Sequence, residues 1–423
     1  MTVPLPAQGA APPEAPDPGP GWAWRFGLVF GGQAFSLIGS ALSQFVLLWW
    51  ITDTTGSVAS LAFAGLAALL PQALLSPLGG TLADRWSRRL LMIAADAVSA
   101  LCMCVLIALF LSGRIELWHA YSMMAVRSAM QAFQLPAASA SVAMLVPRHF
   151  LPRAAGLNQM MQSLTLVAAA PLGALAVSLL PMGWALGIDV VTVVLGITPL
   201  LFLRIPQPRR APGAPTGIGH ELREGVQTVW RSPGLRRLYA LLGAAMLVVM
   251  PTFTLVPLLV KTHFGGGAMD VAWMEGLAGG GMVLGGLLVA AVAPRRQMPW
   301  VLWGLALSCL AMALTALAPS RLFAVAVLWW TVSGIAFALG HAPLTALLQT
   351  IVPHQLQGRV LSLLHMVEGL ASPLGLALAS PLGEWLGVRW LFVVTGTLGT
   401  VVILAGFLSR PLMRLEDGEA ARE

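Results

Sequence analysis

The chain has 423 residues, of which 57% are hydrophobic and only 10% charged, and its mean hydropathy is +0.82. That balance excludes a soluble globular domain and predicts an all-α membrane protein, with about twelve helices of about 20 residues on short connections. A net charge of +7 would suit a nucleic-acid binder, but the basic residues are spread between apolar segments, where they act as a topology signal.

Residues 1–23 are rich in Pro, Ala and Gly and carry no long apolar run, so they read as a disordered cytoplasmic tail. The first apolar segment is too long for a signal peptide and lacks a cleavage pattern. Helices are expected near 25–52, 57–79, 90–112, 117–145, 155–180, 183–203, 238–261, 270–293, 299–317, 322–348, 358–381 and 389–409. The predicted organisation is a six-helix bundle over 24–203, a linker over 204–237, a second six-helix bundle over 238–410 and a short tail over 411–423. The linker opens with a Pro-rich stretch. Its Leu222, Val226, Val229 and Trp230 then share one helical face opposite charges, the pattern of an interfacial helix. The three cysteines, Cys102, Cys104 and Cys309, sit inside apolar stretches and read as packing residues without a disulfide or metal role.

With the N-terminus placed inside, the inner segments hold 19 Arg and the outer loops four Arg and Lys, while Arg127 lies within a helix. The bias puts both termini in the cytoplasm. A repeat relates the halves: Pro136, Val146-Pro147, Gly156 and Pro171-Leu172-Gly173 recur in order as Pro343, Val352-Pro353, Gly358 and Pro373-Leu374-Gly375. Helices 4 and 5 thus echo helices 10 and 11, the parallel two-fold repeat of a six-plus-six transporter.

Between the second and third apolar segments lies Gly79-Gly80-Thr81-Leu82-Ala83-Asp84-Arg85-Trp86-Ser87-Arg88-Arg89. Glycines let two helices approach closely, arginines pin the stretch among anionic headgroups, and Asp84 is free to meet a positive helix N-terminus. The spacing of Gly80, Asp84, Arg85, Arg88 and Arg89 resembles the loop between helices 2 and 3 of the major facilitator superfamily. Further stretches are similar to its macrolide-efflux and enterobactin-exporter-like branch of drug/proton antiporters. They are Gly32-Gln33, Ser36, Gly39-Ser40 and Trp50; Thr55-Gly56-Ser57; Arg127-Ser128 with Pro136-Ala137; Leu145-Val146-Pro147; and Gly358-Arg359-Val360. Ser87 stands where the superfamily usually has glycine, and the glycine-rich signature of helix 5 is reduced to Pro171-Leu172-Gly173-Ala174. The resemblance implies two six-helix bundles, a central cavity, alternating access and export of amphipathic molecules in exchange for protons. It makes Gly80, Asp84, Arg85, Arg88, Arg89 and Gly358 a conformational clamp, and it gives Arg127 a part in proton coupling.

An ionisable group inside the bilayer costs at least about 2.5–3.5 kcal/mol, so each is a candidate site. Arg127 falls near mid-depth of helix 4, with Gln131 and Gln134 on its face. Glu368 stands at mid-depth of helix 11 with His365 one turn away, an acid and a base placed to load and unload a proton. Asp189 and Glu275, in the outer thirds of helices 6 and 8, are further proton candidates or acids reaching water. Asp96, near the cytoplasmic end of helix 3, reads as a partner for Arg88 or Arg89. Gln33, Ser36 and Ser40 in helix 1, Asn158 and Gln162 in helix 5, and His341 in helix 10 are expected to line the cavity.

No glycine-rich phosphate loop follows a strand, and no extramembrane segment is large enough for a nucleotide domain. The reading is a non-enzymatic, multi-pass carrier of the cytoplasmic (inner) membrane, without cofactor or nucleic acid, acting as a monomer. Its partners are a small-molecule substrate, protons and membrane lipids. Siderophore or lysophospholipid export on the same fold is the alternative cargo. A non-transporting scaffold or sensor is the alternative class, which polar faces turned inward argue against.

Overall fold

The computed structural model describes residues 19–203, 226–227, 229–292, 294–352 and 354–416, and in it each long apolar segment is a helix. In chain order these are α1 (Trp22–Thr55), α2 (Val58–Arg85), α3 (Arg88–Leu111), α4 (Leu117–Leu145), α5 (Leu151–Leu179) and α6 (Met182–Phe202). They continue with α7 (Pro233–Leu259), α8 (Ala268–Val292), α9 (Gln297–Leu317), α10 (Phe323–Ile351), α11 (His354–Leu386) and α12 (Val388–Ala405). A hydrocarbon interior offers the backbone no water, so each segment bonds its own N–H and C=O groups as a helix. Among the described residues, ten helices are long and apolar enough to cross a membrane; α4 and α11 fall outside that set. These two carry Arg127, Gln131 and Gln134, and Glu368, so the polar faces the protein needs inside lower their hydropathy.

Serines set several helix starts. The side chains of Ser57, Ser87 and Ser232 accept from the backbone N–H groups of Ser60, Leu90 and Leu235, satisfying donors that the first turns of α2, α3 and α7 leave open. The stretch from Gly79 to Arg85 is not a loop, as its composition suggests, but the end of α2; only Trp86 and Ser87 separate it from α3. Ser87 capping α3 makes the longer turn unnecessary. Gly79 has a steric reason to be glycine: a Cβ there would stand 1.8 Å from the carbonyl oxygen of Ala132 in α4.

The internal repeat appears in the packing. In the first half α2 lies on α4, α1 on α5 and α6, and α3 on both α4 and α6. In the second half α8 lies on α10, α7 on α11 and α12, and α9 on both α10 and α12. Between the halves, α2 packs on α11 and α5 on α8, which are the same contact under the two-fold. Pro136 and Pro343 lie inside α4 and α10, and Pro171 and Pro373 inside α5 and α11. Each helix pair therefore carries its proline at the corresponding place.

Most of the connection between α6 and α7 lies outside the described residues, including Leu222 of the expected interfacial helix. Val226, Gln227 and Val229–Arg231 are helical, with Val229 buried and Trp230 exposed. Residues 1–18 likewise lie outside. The cysteines are free thiols; Cys102 and Cys309 are buried, and Cys104 is exposed. Outward-facing Trp303, Leu288 and Val401 present apolar surface where lipid would lie.

Candidate functional site

Close approach of α1 and α6 creates the site. Gly39 of α1 has no room for a Cβ, which would come within 1.9 Å of the Thr192 hydroxyl oxygen in α6. With the two backbones this near, short polar side chains of α1 reach α6 directly. Ser40 Oγ donates to Asp189 Oδ1 at 3.1 Å. From the other flank, Arg127 of α4 sets Nη2 2.8 Å from Asp189 Oδ2, with side-chain exposures of 7% and 1%. Asp189 thus meets a hydroxyl donor and a guanidinium, and the pair escapes much of the cost of a lone charge in the bilayer.

A second polar chain adjoins the first. The Gln134 amide donates to Gln33 Oε1, and Gln33 Nε2 donates to Asp96 Oδ2 at 3.5 Å and to the Gly196 carbonyl at 3.4 Å. Asp96, Arg127, Ser36, Ser40, Gln131 and Gln134 all touch one cavity of about 140 Å³ between α1, α3, α4 and α6. Polar and apolar side chains line the cavity together, and it has room for several waters. Arg127 Nε is buried and, among the described residues, has no hydrogen-bond partner.

Two sequence expectations change here. Asp96 does not pair with Arg88 or Arg89. Arg88 Nη1 donates to the Ala140 carbonyl at 3.0 Å, and Arg89 donates to the Leu200 carbonyl and, at 2.6 Å, to the Leu201 carbonyl. Arg89 thus sits on the closing turn of α6, where unpaired carbonyls concentrate negative potential, and Arg88 on the α4 backbone just inside its end. Asp96 turns inward to α1 instead. Asp189, which could have been an acid reaching water at a helix end, is fully buried against Arg127.

In the other half, His341 Nε2 of α10 lies 3.4 Å from Glu368 Oε1 of α11, and its ring stacks on Phe337 with centroids 5.3 Å apart. The side chain of His365 lies outside the described residues, as do those of Gly80, Asp84, Arg85 and Gly358. The base described beside Glu368 therefore comes from the neighbouring helix, a partner no spacing within α11 could reveal. Glu275 is half-buried in α8, next to Gly276, which faces Pro171 of α5 where the two halves touch. Asn158 is half-buried and Gln162 exposed on α5, and neither borders the polar cavity.

The Major Facilitator Superfamily profile matches residues 29–328 and 295–422. The chain belongs to the major facilitator superfamily. This transporter is 29% identical to macrolide efflux protein A of Streptococcus pyogenes over 379 residues, which are 89% of the chain and 94% of that protein. It is 28% identical to macrolide efflux protein A of Enterococcus faecalis over 313 residues, covering 74% of the chain and 97% of the relative. Among solved structures, a bacterial homologue of the human lysosomal transporter Spinster, inward-facing and unoccupied, superimposes with a TM-score of 0.70. That match has 15% identity over 94% of the chain and 97% of that structure. The nucleoside transporter NupG superimposes with a TM-score of 0.69 at 12% identity, over 89% and 98% of the two chains. At those identities the likeness is one of fold. The transporter is thus a multi-pass membrane protein of efflux-related sequence, and not an enzyme.

Proposed function

We propose that the transporter exports small amphipathic molecules of macrolide type from the cytoplasm in exchange for protons, by alternating access across the inner membrane. The observation that carries the reading is the buried Arg127–Asp189 pair beside a polar cavity at mid-depth of the first bundle. Charges held there have no role in filling a bundle, and a paired arginine and acid are the means by which a carrier can register a proton. The cargo class is supported by the names of the two efflux relatives. The driving force is adequate: one charge crossing about 100 mV releases about 2.3 kcal/mol, enough for roughly a fifty-fold gradient of a neutral cargo.

A second place for proton coupling is favoured by the 3.4 Å contact of His341 with Glu368, an acid and base on facing helices. Asp84 and its neighbours, with Gly358, retain the proposed part of a clamp on the cytoplasmic ends, and Glu275 that of a relay at the α5–α8 contact.

The test adds a macrolide such as erythromycin outside proteoliposomes of purified protein and reads its uptake above that of protein-free vesicles. An imposed pH gradient should drive its accumulation, and a protonophore should abolish it. Flux indifferent to the gradient would remove proton coupling; no flux of any amphipathic probe would remove the cargo class.

A further inference from the structure

Asp96 and Arg127 border the first-bundle cavity, Asp189 is joined to it through Arg127 and Ser40, and the two carboxyls are not equivalent. Asp189 has both oxygens engaged, by Arg127 Nη2 at 2.8 Å and by the Ser40 hydroxyl at 3.1 Å. Asp96, 6% exposed, receives among the described residues only the Gln33 amide at 3.5 Å, a weak neutral donor. The helices packed on α3 are chiefly α4 and α6; of their charged groups Asp189 acts on Asp96, and Arg127 borders the same cavity. With both acids ionised the cluster would hold a net charge of −1 inside the bilayer; with one proton it is neutral.

The two acids also differ in depth. Arg89 of α3 bonds the last carbonyls of α6, so the two helix ends are level on the α6–α7 face. Asp96 lies eight residues from that end of α3 and Asp189 thirteen from that end of α6, which at 1.5 Å per residue puts Asp96 roughly 7 Å nearer the face. The Arg127 Nε hydrogen, buried and unmatched among the described residues, belongs to a guanidinium that borders the same cavity as Asp96.

We infer that Asp96 is the residue that holds and releases the transported proton, with the Arg127–Asp189 ion pair fixed beside it; this rests on the proton-driven reading above. In the resting cluster Asp96 is the neutral acid. Release breaks its O–H bond, leaves the electron pair on the carboxylate oxygen and passes the proton to water entering the 140 Å³ cavity from the α6–α7 face. The cluster then goes from zero to −1, and the spare Arg127 donor has an acceptor to turn to. Reloading restores neutrality.

The experiment compares wild type with Asp96→Asn and Asp96→Glu in proteoliposomes, with erythromycin as probe. It reads gradient-driven accumulation, counterflow exchange that needs no net proton movement, and the carboxylic C=O infrared band during a pH titration. Asp96→Asn should lose accumulation and the titrating band while keeping counterflow, because the amide preserves shape and removes the proton. Asp96→Glu should recover accumulation with a displaced pH profile. Wild-type accumulation or an unchanged band in Asp96→Asn would overturn the inference alone. So would failure of Asp96→Glu to restore any drive if Asp96→Asn had lost counterflow as well. A wild type that exchanges the probe but ignores the gradient would instead remove the proton-driven reading, and this assignment with it.

Discussion

Arg127 shows how a single side chain in a bilayer acquires its meaning from a partner. Its guanidinium is nearly as buried as the acid it faces, so truncating one member strands the other's charge in a medium that cannot solvate it. Arg127→Met should therefore lower stability by about 3–5 kcal/mol, whereas Arg127→Met with Asp189→Leu should recover most of that loss, because two matched apolar groups leave no orphan. Both variants should fail to accumulate substrate. Thermal melting of the purified proteins in detergent measures the difference; a double variant no more stable than the single would deny the pair its structural weight. Arg127 was legible as a site because an arginine stands out in an apolar segment. Its partner was not, since Asp189 is 62 positions away and near enough to a helix end to pass for an acid in water. Asp96 misled for a related reason: arginines nearby in sequence suggested pairs, but on α3 they point along the axis to neighbouring helix ends while Asp96 points across to α1.

At the scale of elements, the α1–α2 turn is held from the opposite bundle by two charges of opposite sign. The helix α7 ends in a π-helical turn, Val260–Phe264, closed by Gly265 at φ 68°, and this turn carries Lys261. Its Nζ lies 2.8 Å from Asp53 Oδ1 and also donates to the Asp53 carbonyl at 2.6 Å, near the negative end of α1. On the other side of the turn, Glu384 of α11 accepts from the Ser57 hydroxyl and the Ala59 N–H, both at 2.8 Å, at the positive end of α2. Each charge meets the helix end that favours it. Beneath them Gly383 lies against Val58 and Gly65 against Leu376 and Thr254, so the halves fit closely on this side. Lys261→Ala with Glu384→Gln should shift the population toward a conformation open on the α1–α2 side without loss of folded protein. Spin labels placed on either side of that seam should report a longer separation in the double variant; unchanged distances would show that apolar packing alone closes it. The helices themselves were legible from hydropathy. The closing contacts were not, because Glu384 and Asp53 look like ordinary solvated ends until the fold places a helix terminus or a lysine against them.

For the whole molecule, orientation follows from charge. With 19 basic residues in one set of segments and four in the other, the α6–α7 face should be cytoplasmic. Tags at the N-terminus, near Pro212 and at the C-terminus should then all resist protease added to intact cells. Cleavage at any of the three would require the opposite orientation or an odd number of spans. In that orientation the Lys261 and Glu384 contacts lie on the outer side, and Asp96 lies between the cavity and the cytoplasm.

Hydropathy, the proline-glycine repeat and the arginine-bearing stretch at Gly79–Arg89 were enough to determine the class, the number of helices and the two-fold relation between halves. The reason is local: a segment crossing hydrocarbon must be helical whatever surrounds it, and a duplicated bundle keeps its kinks and close contacts at matching positions. Which polar groups meet was decided only by the tertiary structure. Asp189 with Arg127, Asp96 with Gln33, and Glu368 with His341 each join different helices, and their pairing depends on rotation and depth that a one-dimensional pattern does not encode. Glycines such as Gly39 and Gly79 set those depths, by letting backbones approach until one side chain and no other can reach across.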